Sequence, residues 1–264
     1  MPQILNEEII SNEKIAEGIY KIIFKSQYVA QNAKPGQFIN IKCSDGLDAY
    51  LRRPVSICAV DKKENAVTIV FQIKGKGTQL LSNKKQGDML DIIGPLGYGN
   101  FSTQQNKRVI VVGGGVGIFP LYELLKQLNG VCDERIAILG FRNKDLVVME
   151  KEFKSECENL LIATDDGSYG VKGFTTNLLL EQIKKHTIDM IYTCGPLPMI
   201  KKVAQIAAEN NINCEVSLEE RMGCGIGACL VCACKTKKDD NTIGNSHVCY
   251  DGPVFNAREV IFND

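Results

Sequence analysis

A chain of 264 residues that is 44% apolar and 23% charged has the composition of an ordinary globular protein, which excludes fibrous repeats and extensive disorder. Lys+Arg and Asp+Glu each number 31, so no net field draws the chain to nucleic acid, and no dense basic run is interleaved with aromatics. The longest apolar stretches, such as Val109–Val112 and Ile136–Leu139, stop far short of the ~20 residues of a membrane span.

The start, MPQILNEEII, has no basic region ahead of an apolar core, so export is not expected and the cytoplasm is the expected location. The length predicts two domains and an appendage. Over residues 1–102, short β-rich runs at Gly18–Lys25, Gln37–Lys42, Val55–Val60, Ala66–Ile73 and Met89–Ile93 alternate with Gly, Pro, Asp and Asn. That spacing predicts a small antiparallel β-barrel.

Two spots in this region suit phosphate. In Arg53-Pro54-Val55-Ser56, proline fixes φ, arginine offers a forked cation and serine a hydroxyl one pleat further on. Gly75-Lys76-Gly77-Thr78 precedes the helix-like Gln79-Leu80-Leu81 and can present backbone N–H groups and a hydroxyl to a second phosphate. Together they imply a dinucleotide. Gly94-Pro95-Leu96-Gly97 reads as a barrel-closing turn.

From Arg108 the pattern becomes strand, glycine turn, helix. Strands are expected at Val109–Val112, Arg135–Gly140, Leu160–Ala163 and Asp189–Thr193, with helices at Phe119–Leu128, Glu150–Glu156, Thr175–Lys185 and Leu197–Asn210. This βαβαβ order predicts a doubly wound parallel α/β domain over residues 103–217. The turn Gly113-Gly114-Gly115-Val116-Gly117 fits G-x-G-x-G, but Ile118 occupies the last position of the strict dinucleotide fingerprint. Its context, strand before and helix after, still suits a nucleotide. Cys194-Gly195-Pro196 repeats the design at a later strand end, with proline at a first helical position; Cys194 is either a neighbour of a bound nicotinamide or a packed thiol. Arg142 suits a 2′-phosphate and Asp145 a ribose hydroxyl, which leaves NAD against NADP open.

Residues 218–264 hold five of the 11 cysteines. The odd total argues against a disulfide framework, and Cys43, Cys58, Cys132, Cys157 and Cys214 read as small packed fillers. Cys224, Cys229 and Cys232 follow C-x4-C-x2-C, and Cys249 comes after a further sixteen residues. This is the plant-type arrangement for a two-iron, two-sulfide ([2Fe-2S]) cluster. Zinc more often uses two CxxC knuckles, and only Cys229–Cys232 makes one. Gly223, Gly225, Gly227 and Ala228 keep the loop free of bulk, so backbone N–H groups can approach sulfur. If Leu230–Lys235 is a strand, Cys232 and Cys234 share a face; the two-residue gap from Cys229 favours Cys232 as third ligand.

In this order, the arginine–serine strand, the glycine turn, Cys194–Met199 and the cysteine module resemble the ferredoxin-reductase superfamily. Glu219–Cys229 and Val248–Phe255 resemble, more narrowly, the electron-transfer subunits of type B dihydroorotate dehydrogenases. The resemblance implies FAD held by Arg53, Pro54, Val55, Ser56, Val70, Phe71, Gln72, Gly77 and Thr78. It implies a cluster on Cys224, Cys229, Cys232 and Cys249, and NAD at Gly113, Gly114, Gly115, Gly117, Cys194, Gly195 and Pro196. Relatives often carry a basic residue where Gln72 stands, and Lys74 or Lys76 is the substitute here.

The implied function is a relay in pyrimidine biosynthesis, from an FMN-bearing catalytic subunit through the cluster and FAD to NAD, in a heterotetramer. The chain itself has only two histidines, His186 and His247, and no acid–base pair for dihydroorotate chemistry. The nearest rival is the flavin subunit of an NADH-dependent ferredoxin reductase or sulfide dehydrogenase, which often has an acidic first cluster ligand where Cys224 stands. A non-enzymatic zinc-bearing interaction protein is the alternative of another class.

Overall fold

The computed structural model describes residues 1–262 except 47, 239 and 241. The first unit is a closed barrel of six antiparallel strands: β1 (Gln3–Ala16), β2 (Ile19–Lys25), β3 (Phe38–Ile41), β4 (Arg53–Asp61), β5 (Ala66–Gln72) and β6 (Met89–Leu96). Their order around the barrel is β1-β2-β5-β4-β3-β6. β1 closes it by serving two partners: Gln3–Glu8 pair with β6 and Ile9–Ala16 with β2, with a bulge after Ile9. A bulge bends and twists a strand, which lets one strand turn a barrel corner.

Inside lie Ile39, Ile41, Val55, Ile57, Val67, Ile69 and Phe71. The short helix α1 (Gln27–Asn32) adds Val29 and Ala30 to this core, and its N-cap Ser26 accepts from the Val29 N–H. A second short helix, α2 (Lys76–Ser82), follows β5. Every residue of β3 is buried, because both its faces are covered. Ile39 and Ile41 point into the barrel, and Phe38 packs outward in a core that also holds Cys232, Val248 and Cys249.

The second unit is a parallel sheet of β7 (Asn106–Gly114), β8 (Cys132–Phe141), β9 (Asn159–Thr164), β10 (Val171–Lys172), β11 (Met190–Cys194) and β12 (Asn213–Ser217), in the order β10-β9-β8-β7-β11-β12. Helices α3 (Phe119–Leu128) and α4 (Glu150–Ser155) supply one face, where Leu121, Leu124 and Phe153 meet Val109, Val111 and Leu139. Helices α5 (Thr175–Lys185) and α6 (Leu197–Glu209) supply the other, where Leu179, Ile200 and Val203 meet Ile110, Val112 and Ile138. Burial on both faces is why the central strands read as unbroken apolar runs.

Barrel and sheet are joined at α3. The buried Glu123, 4% exposed, accepts from the Val60 N–H at 2.9 Å and from Gln127 Nε2 at 2.9 Å. Lys126 Nζ donates to the Val60 carbonyl at 2.9 Å. Glu123→Ala leaves a buried N–H unpaired and Lys126 without its carboxylate, a loss of about 1–3 kcal/mol. The expected result is a lower urea midpoint at unchanged slope; an unchanged midpoint would show the joint to be energetically idle.

The cysteine-rich segment folds around a hairpin, β13 (Ala233–Lys237) and β14 (Ile243–His247), and returns as β15 (Val254–Asn256). β15 lies antiparallel on β12, pairing Ser217 with Val254 and Glu215 with Asn256. Three expectations change. The strand expected from Leu230 begins only at Ala233, because Leu230 has φ +62 and Val231 and Cys232 lie in a turn. Gly94–Leu96 is the end of β6 and not a turn. β1, α1, β10, β12, β14 and β15 are additional elements. Among the described residues, no helix is long and apolar enough to cross a membrane.

Candidate functional site

The parallel strand order reverses between β7 and β11, and Gly113 and Cys194 are register partners at their carboxyl ends. Ligands of open α/β sheets bind at such a switch point. The two turns there touch. A Cβ on Gly117 would lie 2.4 Å from Gly195 Cα and 2.5 Å from the Cys194 carbonyl oxygen, and one on Gly114 would meet Met199 Sδ at 2.8 Å and Pro196 Cδ at 2.9 Å. Gly115, at φ +54, is exposed with open space beyond it. A 3-10 turn, Gly115–Ile118, precedes α3, so the loop departs from the strict fingerprint by one tightened turn.

Cys194 is half-buried at this junction. Burial pushes its thiol up to about 12, against a smaller opposing contact with Ser217. Arg142 and Asp145 both lie exposed beyond β8.

On the barrel, Arg53 and Gly77 face each other: a Cβ on Gly77 would stand 2.7 Å from Arg53 Nε. The bare glycine therefore leaves the guanidinium fork beside the start of α2. The Thr78 hydroxyl accepts from the Lys74 N–H at 2.9 Å, which fixes this turn. Pairing of Ser56 with Phe38 and Pro54 with Asn40 puts these four residues on the outer face of the barrel, because paired residues share a face and faces alternate. Val55 and Phe71 point inward, with Phe71 stacked on Tyr20 at 6.1 Å, and offer a ligand only their backbone. Val70 packs toward Ile118 and Phe119. Gln72 ends β5, half-buried, and the exposed Lys76 is paired with Asp48 at 2.6 Å.

The cysteine loop gathers its thiols in two pairs. The N–H groups of Ile226 and Cys229 donate to Cys224 Sγ at 3.4 and 3.3 Å, and Cys224 N–H donates to Cys229 Sγ at 3.3 Å. Cys249 N–H donates to Cys232 Sγ at 3.4 Å, and Gly227 N–H to Cys249 Sγ at 3.2 Å. Gly225 and Gly227, at φ +74 and +84, turn these N–H groups toward sulfur. Burial raises the Cys224 thiol, but hydrogen bonds from Ile226, Cys229 and Ala228 outweigh it and bring the thiol down to about 7. Burial and the adjacent Cys232 push Cys249 up to about 12.

Among the described residues, no three His, Cys, Asp or Glu side chains converge as for a single metal ion. Tetrahedral zinc needs four ligands on one point, whereas two thiol pairs lined with N–H donors suit two irons bridged by sulfide. Cys234 lies apart on β13, opposite Ser246, with burial raising its thiol to about 11. Asn40 is a site residue that sequence reasoning missed: it donates from Nδ2 to the Cys224 carbonyl at 2.9 Å. Its only sequence signal was a polar residue between Ile39 and Ile41.

A closed barrel, a parallel sheet with glycine turns at its switch point and a thiol loop between them define a ferredoxin-reductase-type oxidoreductase. The same fold occurs in the ferredoxin NADP+ reductase of Neisseria gonorrhoeae, with a TM-score of 0.67 at 15% identity, over 78% of this chain and 91% of that one. Residues 111–205 match the oxidoreductase NAD-binding domain, and residues 219–261 match the iron-sulfur cluster binding domain of dihydroorotate dehydrogenase B.

The chain belongs to the family of electron transfer subunits of dihydroorotate dehydrogenase B (NAD(+)). It is 44% identical to that subunit of Fusobacterium nucleatum, over 94% of this chain and 95% of the relative. It is 41% identical to that of Bacillus cereus, over 99% and 100%. A solved structure of the NADH-dependent reduced ferredoxin-NADP oxidoreductase, studied for flavin-based electron bifurcation, superposes with a TM-score of 0.86 at 33% identity, over 97% of this chain and 89% of that one.

Proposed function

We propose that this chain holds a [2Fe-2S] cluster, FAD and NAD in series, and relays electrons from an FMN-bearing dihydroorotate dehydrogenase subunit to NAD in pyrimidine biosynthesis. A flavin supplies the conversion between the single electrons of a cluster and the hydride of a nicotinamide. The observation that carries this reading is the adjacency of β3 and β4. The outer face of β3 meets the cysteine module through Phe38 and Asn40, and that of β4 bears Pro54 and Ser56. Neighbouring strands lie ~4.8 Å apart, so the flavin and cluster sites are side by side.

Arg53 and Gly77-Thr78 cradle the FAD diphosphate. Pro54, Val55, Ser56, Val70, Phe71 and Gln72 line the remainder with side chain or backbone. Gly113, Gly114, Gly115 and Gly117, with Cys194, Gly195 and Pro196, receive NAD at the switch point. Cys224 and Cys229 hold one iron, Cys232 and Cys249 the other.

The partner docks over the thiol loop. Ile226, Leu230, Val231 and Tyr250 are exposed large apolar residues, and Tyr250 meets Tyr98 edge-on at 4.8 Å. Apolar side chains massed at one rim fit a protein interface. The assembly is a cytoplasmic heterotetramer.

Co-expression with a dihydroorotate dehydrogenase catalytic chain is expected to yield a stable red-brown and yellow complex that reduces NAD with dihydroorotate. A colourless, zinc-containing protein would overturn the cofactor reading. A coloured protein that couples NADH only to ferredoxin would move the assignment to the rival reductase.

A further inference from the structure

We infer that Asn40 is a positioning residue that fixes the cluster against the flavin strand, a reading that rests on the cofactor assignment above. Asn40 sits mid-way along β3 and is 1% exposed. It is register partner to Pro54 of the flavin segment, and on its other side it reaches the cysteine loop, donating from Nδ2 to the Cys224 carbonyl at 2.9 Å. A Cβ on Gly225 would stand 2.4 Å from Nδ2, so glycine is what lets the loop come this close.

The orientation of the amide is fixed by its partner. The Cys224 carbonyl is an acceptor and must face the NH2 end. Oδ1 is thereby turned into the seam, where it is buried and has no hydrogen-bond partner among the described residues. A buried acceptor left unpaired costs free energy, and an apolar side chain would fill the same space without that cost. What the amide contributes here is its donor. Gly97–Gly99 pack against Gly252-Pro253, and Tyr98 N–H donates to the Tyr250 carbonyl. Those links hold the Cys249 side of the module, and Asn40 holds the Cys224 side.

The consequence is specific to one step. Hydride exchange between NAD and the flavin does not pass through the Asn40–Cys224 contact, whereas electron passage between flavin and cluster crosses the seam that Asn40 bridges. Asn40→Asp keeps the shape but faces a carboxylate oxygen to the Cys224 carbonyl; Asn40→Leu removes both polar ends; Asn40→Gln keeps the amide on a longer stem.

The test uses the holoprotein and stopped-flow mixing with NADH, reading flavin bleaching and cluster reduction separately, with the electron paramagnetic resonance line shape of the reduced cluster and amide exchange at Gly225–Gly227. In Asn40→Asp and Asn40→Leu, cluster reduction is expected to slow by about tenfold or more, because the contact that positions the loop is lost. Flavin bleaching stays at the wild-type rate, the line shape broadens and amide exchange at the loop rises. Asn40→Gln recovers part of the loss.

Should both variants reduce the cluster within about twofold of wild type, with the wild-type line shape, the positioning role is wrong while the cofactor assignment stands. A wild-type protein lacking either the flavin bands or the cluster signal overturns the assignment, and the positioning role with it.

Discussion

Cys249→Ser and Cys232→Ser are expected to purify as yellow flavoproteins that have lost the red-brown absorption and nearly all their iron, while Cys234→Ser keeps both. The expectation follows from the pairing of thiols. Cys232 and Cys249 are buried and joined by a hydrogen bond from the Cys249 N–H to Cys232 Sγ at 3.4 Å. Removing either thiolate leaves one iron with a single cysteine, and a soft metal centre depends on thiolate. Cys234 takes part in neither pair and is held opposite Ser246 in the hairpin. Iron and acid-labile sulfide per flavin, measured on the three variants side by side, decides the matter. A Cys234→Ser that is yellow but iron-free beside a brown Cys232→Ser would require the loop to be redrawn.

Gly117→Ala is expected to weaken the use of NAD without touching the other two cofactors. The added methyl would lie 2.4 Å from Gly195 Cα and 2.5 Å from both Gly195 N and the Cys194 carbonyl. All three are backbone atoms, so no side chain can swing away. Ordinary carbon contact is ~3.5–4.0 Å, and the two turns have to part by roughly an ångström. Overpacking of this kind costs about 1–3 kcal/mol, which the fold can absorb. The crevice cannot, because it is made of the two turns being forced apart. The KM for NAD is expected to rise by about tenfold or more, with flavin and cluster spectra unchanged and dihydroorotate still reducing an artificial acceptor in the complex. A wild-type KM would place the nucleotide elsewhere than at the switch point.

The α/β domain was the most legible part of the sequence. Helices Phe119–Leu128 and Thr175–Lys185 fall where the 3.6-residue pattern put them, because each buries one stripe against a sheet. The barrel was legible in strands bounded by punctuation, such as Ala66–Gln72. β1 was not, since its inward and outward positions change phase at the bulges after Ile9 and Lys14 and blur a period of two. β15 is three residues long and owes its conformation to β12, a tertiary cause that no local pattern carries.

For the site, cysteine spacing revealed the thiols but not their pairing, which depends on the turn at Leu230. The glycines of both turns were visible as a motif, but their reason was not. Gly114, Gly117 and Gly195 are small because the other turn lies against them. Asn40 was hidden for the same reason: the Cys224 carbonyl it holds lies 184 positions away.

The short strand β15 has a consequence for how such proteins can be built. Because Val254–Asn256 finish the sheet that the nucleotide half begins, the iron-carrying segment is not a detachable cassette. Cutting ahead of it would bare the edge of β12, a ready template for pairing with a second chain. A chimera that borrows this segment has to bring β12 with it. During synthesis, too, the nucleotide-binding sheet stays one strand short until the cysteines have already left the ribosome.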